Sequence, residues 1–167
     1  MIAMPRMMFA PRRTGAMIAI AALLATAGFA YADNPAPYPG TVTMASPHSF
    51  TDTVSRIESA TEKNKMGMVA KASASAGAAG RGVKIAGNAV LMVFRNDYAV
   101  RMLAASVPAG IEAPIRLYVT EGSEGKVTVT YRSPSAIFAP YGSAELDALA
   151  KELDPVFDRI VRDAVAR

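Results

Sequence analysis

Between Ile115 and Arg132 the chain carries the same alternation twice, I-R-L-Y-V-T and then K-V-T-V-T-Y-R, separated by E-G-S-E-G. A period of two marks a strand with one buried face, and two such runs around a short Gly-containing link form a β-hairpin. Ile115, Leu117 and Val119 then share one side with Val127, Val129 and Tyr131. Arg116, Tyr118 and Thr120 share the other with Thr128, Thr130 and Arg132. A hairpin alone is barely stable in water, so its apolar side requires further cover. Its polar side can stay open, as antiparallel sheets permit.

Helical spacing supplies the cover. Ser49 is a helix N-cap with Asp52 three residues on, a capping-box pattern, and Phe50, Val54 and Ile57 form one apolar stripe to about Asn64. Asn96 reads as the cap of a helix from Asp97 to Ser106, with Tyr98, Met102 and Ala105 along one side and Pro108-Ala109-Gly110 as its stop. Ser143 opens a final helix whose stripe is Leu146, Leu149, Leu153, Val156, Ile160 and Val161, and Pro155 predicts a kink or break near Leu153. A loop carrying Pro134, Pro140 and Tyr141 leads into it. Thr41 to Ala45 and Met66 to Ser73 read as strands, and Ala89 to Phe94, apolar on both parities, as a central strand covered on both faces. The Gly-rich stretch Ala76 to Gly82 reads as a loop or a single helical turn. A phosphate loop needs a long helix after it, and Val83 to Asn88 is too short and Gly-broken for one. The order β-α-β-β-α-β-β-α predicts an α+β sandwich, an antiparallel-rich sheet with helices on one face.

The N-terminus is of another kind. Residues 1–32 carry Arg6, Arg12 and Arg13, no acid, an apolar run from Gly15 to Leu24, and Ala30-Tyr31-Ala32 as a small-residue cleavage site. This is the layout of a secretory signal peptide cleaved after Ala32, which predicts a periplasmic or secreted chain with no stable membrane span after cleavage. Arg12-Arg13 is a poor twin-arginine match, because Gly15 stands where that signal takes a large apolar residue. Residues 33–40, with Pro35, Pro37 and Pro39, read as an extended tether, and residues 41–167 as a single domain.

Composition narrows the function classes. The whole chain has 18 Lys+Arg against 14 Asp+Glu, so without the leader it is almost neutral, which gives no electrostatic case for nucleic acid. With no Cys and one His, thiolate chemistry, a zinc finger and a protein-only transition-metal site all lack ligands, and no cofactor is expected. Ser133 and Ser135 lack a nucleophile elbow, and Glu121 and Glu124 sit on a hairpin tip rather than in a groove. His48 is either the sole general base or axial ligand available, or a turn residue closing a strand-helix junction. On the polar hairpin face Arg116, Tyr118 and Arg132 project together, a forked cationic pair around a phenol, with Arg95 a possible third cation beside Asn96. That face suits a small anionic ligand, a homodimer contact or plain solvation.

Several stretches together resemble the bacterial family described as domain of unknown function 302. They are S-P-H-S-F-T-D-T-V-S-R-I at 46–57, L-M-V-F-R-N at 91–96, P-A-G-I-E-A-P-I-R-L-Y-V-T-E at 108–121, and G-K-V-T-V-T-Y-R-S-P at 125–134, closed by Ala139-Pro140-Tyr141-Gly142. The resemblance implies an α+β sandwich grouped by shape with TATA-box-binding-protein-like folds, with no implication of DNA binding and no established reaction. Many relatives have an Asp-His pair where this chain has Ser73-Ala74, and Gly-Asn-Pro where it has Arg95-Asn96-Asp97. Any metal or proton role of that Asp-His pair is lost here. The expectation is a non-catalytic binding or interaction module that dimerises through the hairpin face. The alternative is a small-anion sensor using Arg95, Asn96, Arg116, Tyr118 and Arg132. A small enzyme relying on His48 ranks last.

Overall fold

The computed structural model describes residues 38–167. The leader, its cleavage site and most of the tether lie outside the described residues. Five strands, β1 (Thr41–Ser46), β2 (Gly67–Ala72), β3 (Asn88–Phe94), β4 (Ile115–Glu121) and β5 (Val127–Arg132), form one antiparallel sheet in the order β1-β5-β4-β3-β2. The hairpin β4-β5 pairs in the register that its alternation requires, with Leu117 opposite Tyr131 and Val119 opposite Val129. All six of its apolar side chains are buried.

Helices α1 (Phe50–Lys63), α3 (Asn96–Ala105) and α5 (Ala144–Val165) cover that face. In α1, Ser49 caps by accepting from the Asp52 N–H. Asp52 answers to the Ser49 hydroxyl rather than to its backbone N–H, so the capping box closes through side chains. Thr53, fully buried in α1, shares a hydrogen bond of 2.7 Å with Ser46, so its hydroxyl is not left unsatisfied. In α5, Ser143 caps as its sequence predicts, and Leu146, Leu149, Leu153, Phe157, Ile160 and Val161 are buried on the sheet. Each such side chain contributes about 1.5–3 kcal/mol of transfer free energy, so this one helix anchors much of the core.

The structure adds two short helices, α2 (Ala74–Ala79) and α4 (Pro134–Phe138), and departs from the sequence expectations at five points. α5 runs unbroken through Pro155. Pro155 lies on the exposed face, where the carbonyl it deprives of a donor can meet water. The turn continues, and Phe157 is buried where Val156 was expected. β3 is not the central strand: β4 is, and β3 is covered on one face only, with Ala89, Leu91 and Val93 buried and Val90, Met92 and Phe94 half-exposed. β2 is an edge strand with a bulge between Met68 and Ala70. One extra residue reverses the parity, so Met68 faces the helices opposite Val93 while Ala70 faces outward opposite Met92. Lys71 consequently lies on the helix side and pairs with Glu58 of α1 at 2.7 Å. Asn96 is the first residue of α3, not its cap; Arg95 takes the cap position and makes no side-chain cap bond. Finally, the loop expected after β5 begins with α4, capped by Ser133 and burying Ile137 and Phe138.

The tail of the tether is tied to the fold. Ser133 N–H donates to the Gly40 carbonyl at 2.8 Å, and Thr41 N–H donates to that of Tyr38 at 3.0 Å. Gly40 has φ +74°, and a Cβ there would stand 2.0 Å from Ala136 Cβ, so only glycine lets the chain pass this close to α4.

Candidate functional site

The open face of the sheet carries the outward residues of β4 and β5. Thr120 and Thr128 share a hydrogen bond of 2.9 Å across the hairpin, and Thr130 shares one of 3.0 Å with Thr43 on β1. Tyr118 stands opposite Thr130, and its hydroxyl accepts from the Asn88 amide on β3. One register step beyond the last pair, Leu117 with Tyr131, Arg116 faces Arg132. Like charges close together on one face repel, so the two side chains gain from an anion nearby.

Both arginines line a concavity of about 280 Å³ together with Tyr38, Glu112, Tyr118 and Thr130. Arg116 is exposed and makes no hydrogen bond or ion pair among the described residues. Arg132 donates through Nη2 to the Ala136 carbonyl at 3.1 Å, and its Nε is buried without a partner among the described residues. The Tyr38 ring covers it, with the guanidinium carbon 5.7 Å from the ring centroid. Glu112 accepts from the Tyr141 hydroxyl at 3.0 Å. Burial and that carboxylate push the Tyr141 phenol above its usual pKa.

The other candidates lie elsewhere. Arg95 follows Ala89, Leu91 and Val93 in parity and so falls on the helix side. It forks onto Asp97 (Nε to Oδ1 2.6 Å, Nη2 to Oδ2 2.8 Å) and stacks 4.1 Å above the Tyr98 ring. Each partner favours the other's charge: the hydrogen-bonded Asp97 raises the guanidinium pKa, and Arg95 holds the carboxyl below its ordinary value. Asn96 is exposed in the first turn of α3. His48 donates from Nε2 to the Ala166 carbonyl at 2.7 Å, beside Arg56, which donates to the carbonyls of Ala164 (2.6 Å) and Ala166 (2.7 Å). These two side chains satisfy carbonyls at the end of α5, a structural task. Ser73 caps α2 and donates to the Asn88 carbonyl at 2.9 Å.

Thus Arg116, Tyr118 and Arg132 come together, while Arg95, Asn96 and His48 do not join them. Tyr38 and Glu112 are lining residues that the sequence reading missed. Gly40 was the available signal for Tyr38, since a glycine ending a Pro-rich run marks a turn back onto the fold. Among the described residues no group of three or more His, Asp or Glu is placed to hold a metal ion. The arrangement offers two cations, phenols and one carboxylate in a partly apolar hollow, which is equipment for holding an anion.

Residues 42–164 match the family model described as domain of unknown function DUF302. The chain belongs to the DUF302 family. Among solved structures it is similar to an uncharacterised conserved DUF302 protein from Bacillus stearothermophilus, with a TM-score of 0.68 and 16% identity over 75% of this chain and 98% of that one. At that identity the likeness concerns the fold alone, a five-stranded sheet with helices packed on it. No curated protein matches the chain. Tyr38 lies outside the residues that match the DUF302 model, whereas Glu112, Arg116, Tyr118 and Arg132 lie within them.

Proposed function

We propose that this DUF302 chain is an exported, non-catalytic binding module that holds a small anion on its open sheet face, between Arg116 and Arg132. The observation that carries the reading is that Arg116 and Arg132 line one hollow, the first without a partner and the second with a buried unpartnered Nε among the described residues. Export and cleavage after Ala32 rest on the leader pattern. Enzyme chemistry at His48 is disfavoured because its Nε2 is already bonded to the Ala166 carbonyl. Titration calorimetry with small carboxylates and oxyanions tests the reading. Saturable binding lost in both Arg116→Gln and Arg132→Gln is expected; identical heats in wild type and both variants would sink it.

A second reading, a homodimer through the same face, is favoured by one observation. Val90, Met92 and Phe94 stand half-exposed on β3 beside the arginines, with Ala70 and Ala72 outward on β2. Light scattering discriminates: a dimer that becomes monomeric in an Arg116→Glu/Arg132→Glu double variant supports it, and an unchanged mass removes it.

A further inference from the structure

Resting on the anion reading, we infer that Tyr38 is the selectivity residue of the site, closing over a flat apolar body, so that the class of ligand taken is an aryl monocarboxylate rather than an inorganic oxyanion. Three observations converge. First, the charge of the lining fits a monoanion. Two arginines and one carboxylate, Glu112, line it, and the carboxylate repels the second charge of a sulfate or phosphate. Second, the hollow is larger and more apolar than a bare oxyanion needs. Its volume of about 280 Å³ approaches the lower end of small-molecule sites, about 300 Å³. Half-buried Val90 and the Tyr118 ring line it, backed by the buried Ile115 and Ile137, surfaces that favour an apolar body over an oxyanion. Third, Tyr38 is delivered to the mouth by a specific device. Gly40, at φ +74° and bonded through its carbonyl to Ser133, turns the chain so that the Tyr38 ring lies over Arg132. The ring is 72% exposed, so little packing holds it down and it can shift to admit a ligand between itself and the sheet.

The placement makes Tyr38 a positioning and selectivity group, not a source of charge. A carboxylate would bridge Arg116 and Arg132 in forked geometry, with its ring stacked against the Tyr38 phenol. Tyr38 lies outside the residues matched by the DUF302 model, so the selectivity is inferred for this chain and not for the family.

The test titrates the purified protein with sodium benzoate and, at matched ionic strength, sodium sulfate. Wild type is expected to bind benzoate at least tenfold more tightly than sulfate. Tyr38→Ala should abolish that preference, and Tyr38→Phe should retain it. Because Tyr38 is exposed, its thermal midpoint serves as a check that the variant is folded. Sulfate binding as tightly as benzoate, or a preference unchanged in Tyr38→Ala, overturns the assignment of Tyr38 while leaving the anion site standing. Binding of neither probe to wild type, with Arg116→Gln indistinguishable from it, overturns both.

Discussion

The two faces of the sheet are built from the same strands, residue by residue in alternation, and they have opposite fates. On the helix side Leu117, Val119 and Val129 are fully buried, and Ile57, Leu146 and Ile160 close over them. On the other side Arg116 and Tyr118 are exposed and Arg132 is half-buried, all three lining one hollow. The covered face explains why the chain folds. The open face carries one arginine, Arg116, that has no partner among the described residues, beside Arg132, which is tied to the Ala136 carbonyl.

Substitutions can break or sharpen this contrast. The largest effect is expected on the covered face. Phe157→Ala removes a ring 1% exposed that packs 6.3 Å from Tyr131, centroid to centroid, and should cost about 3–5 kcal/mol in denaturant unfolding. Tyr118→Ala, across the sheet at 38% exposed, should cost under about 1 kcal/mol. Equal losses would erase the distinction between the faces. Next comes Gly40→Ala, where a Cβ meets Ala136 in a backbone conformation unfavourable to L-residues. A loss of about 1–3 kcal/mol is expected by the same measurement, together with displacement of Tyr38.

Smaller and of opposite sign is Arg116→Gln. Relieving the facing charges should leave stability unchanged or raise it by up to about 1 kcal/mol, while anion binding falls at least tenfold. A clear loss of stability would mean that Arg116 serves the fold.

The smallest effect is a pH dependence, and it comes from the helix side. Arg95 holds Asp97, Arg101 holds Glu152, and Lys63 with Asn64 holds Asp163 below their ordinary values. A carboxyl lowered in the folded state adds stability that is complete above its unfolded value, about pH 4, and is lost as pH falls through the folded one. The thermal midpoint should therefore drop on acidification below about pH 4, and less steeply in an Asp97→Asn/Glu152→Gln double variant. A slope identical in the variant would assign acid sensitivity to other groups.

The hairpin was legible because a period of two specifies pairing partners and faces at once, and Ile115 to Arg132 keeps it without a fault. β2 was legible as a strand but not in its faces. The bulge at Val69 reverses parity, and nothing in M-V-A marks an inserted residue. α4 was read as loop because five residues carry no usable period, although Ser133-Pro134 is a helix-opening pair. Pro155 misled because the sequence does not say whether its missing hydrogen bond faces core or water. In the site, alternation brought Arg116, Tyr118 and Arg132 together. The same alternation, extended from Ala89 through Val93, would have sent Arg95 to the helix side. Tyr38 was hidden behind three prolines that read as a tether, and Glu112 in a 3-10 turn with no period of its own.

The most direct test of the central claim is a nitrogen-15 NMR titration that follows the arginine Nε–H signals as benzoate is added. Saturating shifts are expected at Arg116 and Arg132, with backbone shifts confined to residues 38–41, 112–118 and 130–137, and unmoved signals at Arg56 and Arg95. Shifts centred on His48 and Arg56, or none at Arg132, would contradict it.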